Sequence, residues 1–376
     1  MLGSIFVGLS GMAAFSKGLR QISNNITNIN STGFKASDLS FANLFGQGGN
    51  GQGVSLREGR IDFTQGELRQ TDRDLDLAID GDGFLVLLKD GQHAFARTGA
   101  FEVNEDGDIV LAGTDYKLTV IDGGAPTALS VAAHRLSHPE ATTKISFADN
   151  LSTTATTFSL SNLKIYDASG EAKTWLVKFD RAATDPAGEW QVTVTDGTGE
   201  VGKQTLKFLG SVPDPANSKL LFGAAGAQVE LDFSGASSFS SGEVSTMRVS
   251  KSDGYGAGEI TTMRVNDDGI FEISYSNEQK KTLGAVTLAK FADPQSLDPQ
   301  SNGLFEYEGA NGRQFLTTVS ASVGKVVSGR LEASNVDLSR EFGELILVQR
   351  GYQASSQVIS ASNDMIQQLF GIRGQG

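Results

Sequence analysis

The chain has 376 residues, 44 of them acidic against 31 basic, for a formal net charge of −13. That balance excludes non-specific adhesion to nucleic acid or to anionic lipid, which needs a basic surface. Cysteine is absent, which excludes disulfides, thiolate catalysis and sulfur-ligated zinc.

The length predicts two or three domains. The first segment reads as a helix. Ile5, Leu9, Met12, Ser16, Leu19, Ser23 and Ile26 follow alternating steps of four and three, with Ile22 and Ile29 adjoining. A second face is made of small residues: Ser4, Gly8, Gly11, Ala14 and Gly18. Each glycine inside a helix costs about 1 kcal/mol relative to alanine, so this face predicts the close approach of another backbone. Lys17 and Arg20 interrupt the apolar residues and no basic region precedes them, so the segment does not read as a cleaved secretory signal. No apolar run in the chain reaches the roughly 18 residues of a membrane span.

From Ser23 to Phe45 the chain is rich in Asn, Ser and Thr, which favour caps and turns, and Gly33 marks a turn or helix end. Gly46 to Gly53 reads as a flexible loop. It contains a literal G-x-G-x-x-G at Gly46, Gly48 and Gly51, but without the strand-then-helix context that a dinucleotide site needs. From Val54 the pattern is β. Leu75, Leu77 and Ile79 are expected on one face of a strand, with Asp74, Asp76 and Asp80 on a solvated opposite face. Phe84, Val86 and Leu88 continue as a strand, and Asp106-Gly107 makes a hairpin turn. Pro126 to Leu288 reads as an inserted run of short strands, with turns at Asp196-Gly197 and Asp268-Gly269. Strands resume to Val327. From Leu338 a second heptad seam runs through Leu338, Phe342, Leu345, Gln349, Tyr352, Ser356, Ile359, Asn363, Ile366 and Phe370. Asp337 or Ser334 is expected to cap its start and Gly371 to end it.

The expected fold is therefore mainly β with terminal α-helices: one β domain inserted in another, capped by a coiled-coil pair of N- and C-terminal helices. The expected divisions are 1–45 and 329–376 for a terminal helical assembly domain, 46–125 and 289–328 for the first β domain, and 126–288 for the inserted one. Signs of catalysis or metal binding are weak. Asp72, Asp74 and Asp76 match the first EF-hand ligand positions, but Leu77 and Gly83 stand where that loop needs glycine and glutamate. His134 and His138 lack the adjoining glutamate of a metalloprotease helix and read as surface residues. No cofactor, metal or catalytic residue is predicted.

NNITNINSTGFKAS near the start, with GRLEASNVDLSREF and QRGYQASSQ near the end, resembles the two ends shared by bacterial flagellar rod and hook proteins. DLDLAIDGDGFLVL and FARTGAFEVNEDGDIV resemble that family's first β domain. The long middle, with TTKISFADNL, KIYDASGEAKTWLVKFD and MRVNDDGIFEISYSNEQKKTLGAVTLAKFADPQSLDPQSNGLFEYEGANG, resembles the hook branch, since rod members generally lack such an insertion. The resemblance implies a non-enzymatic subunit that polymerises into a flexible helical tube, joins rod to filament and transmits torque. It implies a place in the bacterial flagellum, reached by the flagellar export apparatus without a cleaved signal. The implied partners are other copies of the chain, the rod, the hook cap and the hook–filament junction proteins, with no nucleic acid and no membrane insertion. The residues expected to carry self-assembly are Ile5, Leu9, Met12, Leu19, Ile22, Ile26, Leu338, Phe342, Leu345, Tyr352, Ile359, Ile366 and Phe370. Gln349, Ser356 and Asn363 would weaken the seam and set its register. The rival readings are a rod subunit and a secreted β-rich carbohydrate-binding or hydrolytic protein.

Overall fold

The structure is a computed structural model and describes residues 2–38, 40–45, 51–57, 59–121, 123–181, 188–224, 226–242, 244–309, 311–318, 320 and 322–373. The chain is mainly β, with helix α1 at Leu2–Thr27 and helix α2 at Leu338–Arg373. It divides into two compact units. The first takes Met1–Ala132, Thr262–Ile273 and Lys281–Gly376; the second takes Ala133–Thr261 and Ser274–Lys280. Among the described residues no helix is long and apolar enough to cross a membrane.

Helix α1 stops where its side chains begin to compete for the backbone. Thr27 Oγ1 donates to the Ser23 carbonyl at 2.9 Å, and Asn28 Nδ2 donates to the Asn24 carbonyl, also at 2.9 Å. The chain then turns at Gly33, whose φ of +71° suits glycine. Ser40–Phe45 and Gly51–Arg57 pair antiparallel, and Val54 N donates to Ser10 Oγ of α1 at 3.3 Å. Of the glycine motif, Gly46 and Gly48 lie outside the described residues, while Gly51 begins the second strand of this pair.

The β part of the first unit is woven from both flanks of the insertion. Asp76–Asp80 lies between Lys325–Ser328 and Thr98–Val103. Phe84–Lys89 pairs with Gln92–Ala96 and with Leu288–Phe291, and Leu304–Glu306 adds to Gln92–Ala96. The core of these strands is aromatic. Phe291 meets Phe84 and Phe95 edge-on, at centroid separations of 5.6 Å and 4.8 Å. One expectation fails here. Asp76 is only 3% exposed, and Leu77, Ala78 and Ile79 beside it are fully buried. The strand is covered on both faces, so strict alternation of inside and outside does not apply. Asp76 keeps Arg73 Nε at 3.8 Å, and its Oδ1 has no hydrogen-bond partner.

In the second unit Lys144–Asn150 runs parallel to Val229–Ser237 and antiparallel to Arg248–Ser252. A meander of Thr157–Tyr166, Ala172–Asp180, Glu189–Asp196 and Gly199–Leu209 provides a second sheet. The first turn of the meander is held by Asp167, whose Oδ1 accepts N–H bonds from Ser169 and Glu171 at 2.9 and 3.1 Å. The core stacks Phe147 on Phe233 at 4.5 Å and buries Trp175 and Trp190.

Candidate assembly interface

Helices α1 and α2 pack antiparallel, and the residues that let them approach are the small ones. A Cβ added at Gly8 would lie 2.7 Å from Ile359 Cγ1 and 3.2 Å from the Ser355 carbonyl oxygen. One added at Gly11 would lie 2.6 Å from Ser355 Oγ, and one at Gly351 would lie 2.5 Å from Phe15 Cζ. The buried line on α1 is Gly8, Gly11, Ala14, Gly18, Ile22 and Asn25, which is the small-residue face without the exposed Ser4 and extended by Ile22 and Asn25. On α2 the line includes Glu341, Val348 and Ser362, all 2% exposed or less. At the base of the pair Asn25 Nδ2 donates to Glu341 Oε1 at 3.0 Å. Glu341 Oε2 is buried without a partner. Burial first, and the nearby Glu344 and Asp38 carboxylates in addition, push the Glu341 carboxyl above its ordinary value; the Asn25 bond and Arg340 act the other way.

The start of α2 is fixed by Asp337, whose Oδ1 accepts the N–H groups of Ser339 and Arg340 at 2.8 and 3.3 Å. Ser334 Oγ instead accepts Val336 N at 3.3 Å. The helix continues through Gly371 to Arg373, contrary to the expected stop. Glycine permits a left-handed cap but does not impose one.

Where the two helices leave the β part, a charge cluster is buried. Glu332 Oε1 pairs with Lys35 Nζ at 2.6 Å, and its Oε2 pairs with Arg97 Nε at 3.2 Å. All three side chains are at most 4% exposed. Their remaining hydrogen-bonding capacity is used by backbone. Lys35 Nζ donates to the Thr64 carbonyl at 2.6 Å, and Arg97 donates to the carbonyls of Gly83 and Gly81 at 2.5 and 2.7 Å. Gly66 N donates to Glu332 Oε1 at 2.9 Å. Asn335 Oδ1 accepts Ala36 N at 2.8 Å, and Gly33 N donates to the Glu332 carbonyl at 2.8 Å. Burial pulls the Lys35 ammonium below its ordinary value, and Glu332 counteracts that. These residues were not among the predicted site residues. The three charged residues and the two glycines that Arg97 reaches lie inside motifs quoted for the resemblance: Lys35 in TGFKAS, Gly81 and Gly83 in IDGDGF, Arg97 in FARTGAF and Glu332 in GRLEASN. The signal was that these separate motifs each combine glycine with charged residues.

Among the predicted seam residues Ile22 is fully buried. Ile5, Met12, Leu19, Ile26, Leu345, Tyr352, Ile359 and Ile366 are half-buried. Leu9, Leu338 and Phe342 are exposed, Leu9 by 58%. The side chain of Phe370 lies outside those described. Of the polar seam positions, Ser356 is half-buried, while Gln349 and Asn363 are exposed. Sequence reasoning did not include Phe6, Ile346 and Leu347, which are exposed apolar residues of the same helices; Leu347 is 70% exposed. Among the described residues no group of three or more His, Cys, Asp or Glu side chains could hold a metal ion.

Residues 327–372 match the family described as flagellar basal body rod FlgEFG protein C-terminal, and residues 78–150 match the flagellar hook protein FlgE/F/G D1 domain. The flagellar hook protein FlgE of Salmonella typhimurium is 31% identical over 97% of this chain and 98% of its own length. That of Rhizobium meliloti is 27% identical over 99% of each chain, and that of Treponema pallidum is 26% identical over 99% of this chain and 100% of its own. Among solved structures, a flagellar hook protein of Helicobacter pylori covers 69% of this chain and 98% of its own, with a TM-score of 0.50 at 10% identity, a likeness of fold.

Proposed function

This chain belongs to the flagellar hook protein family and is a subunit of the bacterial flagellar hook, and we propose that it polymerises through the apolar residues its own two helices leave uncovered. The observation that carries the proposal is the mismatch between the predicted seams and the intrachain contact. The helices meet through their small faces, while Leu9, Leu338 and Phe342, and also Phe6, Ile346 and Leu347, stay in solvent. An apolar row of this kind along paired helices is stabilised by burial against neighbours. Contacts that do not close on themselves build an open helical polymer. In this reading residues 1–45 and 329–376 act as the assembly part, 46–125 and 289–328 as the first β part, and 126–288 as the inserted one. Of the expected seam, Leu9, Leu338 and Phe342 would face neighbouring copies, with the half-buried Ile5, Met12, Leu19, Ile26, Leu345, Tyr352 and Ile366 beside the intrachain contact and Phe370 at the helix end, whereas Ile22 is fully buried within the subunit and Ile359 lies against Gly8. The role is mechanical rather than catalytic. The subunit's further partners would be the rod, the hook cap, the hook–filament junction proteins and the export apparatus, and its route to the flagellum would need no cleaved signal.

Leu9→Asp with Phe342→Asp tests this. A carboxylate at each position would have to be buried without a partner on assembly, which is costly. Electron microscopy of the variant should show no tubes, with the melting curve of the subunit unchanged. Tubes formed as readily as by the unaltered chain would refute the proposal.

A further inference from the structure

A groove of about 830 Å³ runs beside α1 in the first unit. Lys17, Arg20 and Arg57 line it, and Phe34, Ile61 and Leu297 supply apolar lining. The three cations are exposed, and among the described residues none of them makes an ion pair. Among the described residues of the lining, Asp298 is the acid. In a chain of net charge −13, the groove brings together three cations without an ion pair among the described residues. The volume falls within the roughly 300–1,000 Å³ of clefts that hold a ligand.

The same unit carries a segment of the opposite chemistry. The hairpin of Thr98–Val103 and Ile109–Leu111 turns through Glu102, Val103, Asn104, Glu105 and Asp106, with no basic residue among them. Glu102, Val103, Glu105 and Asp106 are exposed. The turn is already ordered: Asn104 Oδ1 accepts Asp108 N at 2.8 Å, and Gly107 N donates to the Asn104 carbonyl at 3.0 Å. An ordered, acidic turn with one exposed valine matches a groove with a cationic and an apolar lining, and docks with little further loss of chain entropy.

We propose that the groove of one copy receives the Glu102–Asp106 turn of a second copy, adding a charged contact to the apolar assembly seam. The proposal rests on the self-assembly reading above. Groove and turn are different patches, so the contact is heterologous and, repeated, propagates rather than closing a pair. Its strength falls with ionic strength, because both sets of charges are exposed.

The test uses the full chain and charge reversal. Lys17→Glu with Arg20→Glu, and separately Glu102→Lys with Asp106→Lys, are each expected to lower the yield of tubes at least tenfold at low salt, with unchanged melting of the subunit. All four substitutions together should restore the yield to within about threefold of the unaltered chain. Undiminished tubes from the groove reversal overturn the proposal. So does a fourfold variant that stays as defective as either pair, which would give the groove to a different acidic partner or to a small anion. If the unaltered chain forms no tubes, the self-assembly reading falls and takes this contact with it. Tubes from both the unaltered chain and the groove reversal remove this contact alone.

Discussion

Glu332 is one carboxylate shared by two buried cations, which makes it the side chain whose loss the first unit should tolerate least. Glu332→Gln keeps the shape and the acceptor for Gly66 N but leaves Lys35 and Arg97 without a counter-charge. Breaking a buried pair in this way costs about 3–5 kcal/mol. The chain offers a clean way to locate the loss. Both of its tryptophans, Trp175 and Trp190, are in the core of the second unit. Denaturant unfolding of the variant should therefore move the far-ultraviolet circular dichroism transition of the first unit to lower denaturant while tryptophan fluorescence stays put. Equal shifts in both signals would mean that the cluster does not stabilise the first unit selectively. None of this was legible residue by residue. Nothing in the local sequence marks Lys35, Arg97 and Glu332 as partners, because the pairing spans 297 and 235 positions of the sequence. Asp76 misled for a related reason: its alternation with leucines looks like a half-solvated strand until strands from the far end of the chain cover it.

A second residue-scale consequence concerns pH. The Glu341 carboxyl is raised above its ordinary value in the folded chain, with burial as the first cause. The folded state then binds the proton more tightly than the unfolded state does. The contribution of Glu341 to stability is most favourable below the ordinary carboxyl range and is lost as pH rises from there through the raised value. The groups that face it are Asn25 and Asp38 from the N-terminal side, with Arg340 and Glu344 on its own helix. Hydrogen-exchange protection of the first turns of α2 should fall from mildly acidic to neutral pH in the native chain. In Glu341→Gln that fall should be absent, with protection at neutral pH at least equal to the native value. A variant that keeps the full pH dependence would assign it to another group.

At the scale of elements, the sequence showed more. The two helices, the hairpin turns and the returning strands follow from periodicity and turn residues, and the small face of α1 correctly announced a close backbone approach. What periodicity could not distinguish was which face of each helix meets its own partner. Both a small face and an apolar seam are candidates, and burial divides them: Gly8, Gly11 and Gly351 at the crossing, Leu9 and Phe342 outside it. The glycines should therefore be intolerant in a way the leucine is not. Gly8→Val or Gly11→Val places atoms where Ile359 or Ser355 already stands, and overpacking of this kind costs roughly 1–3 kcal/mol. Limited proteolysis of the isolated subunit should cut α1 faster in either variant, whereas Leu9→Ala should leave the cutting rate near the native one. If Leu9→Ala loosens α1 as much as the glycine variants do, the small face is not what holds the pair.

At the scale of the whole molecule, the buried cluster decides where the chain can be cut. The helices are the assembly part of the proposal, so removing them should give a folded subunit that cannot polymerise. The boundary is set by Lys35, Ala36, Glu332 and Asn335, which tie the two flanks of the first unit together. A chain of residues 34–336 keeps all of these, together with the strand pair of Arg330–Glu332 and Leu68–Gln70. A chain of residues 37–331 differs by only a few residues at each end, yet it loses Lys35 and Glu332 and strands Arg97 as an uncompensated buried cation. The first should remain monomeric at concentrations where the full chain forms tubes, and should lose less than about 2 kcal/mol of first-unit stability, since the parts removed are helix pair rather than β core. The second should lose about 3–5 kcal/mol or fail to fold its first unit, although tryptophan fluorescence still reports an intact second unit. Equal stability of the two would show that the cluster is incidental to the boundary. Tubes from the 34–336 chain would show that polymerisation does not need the helices at all.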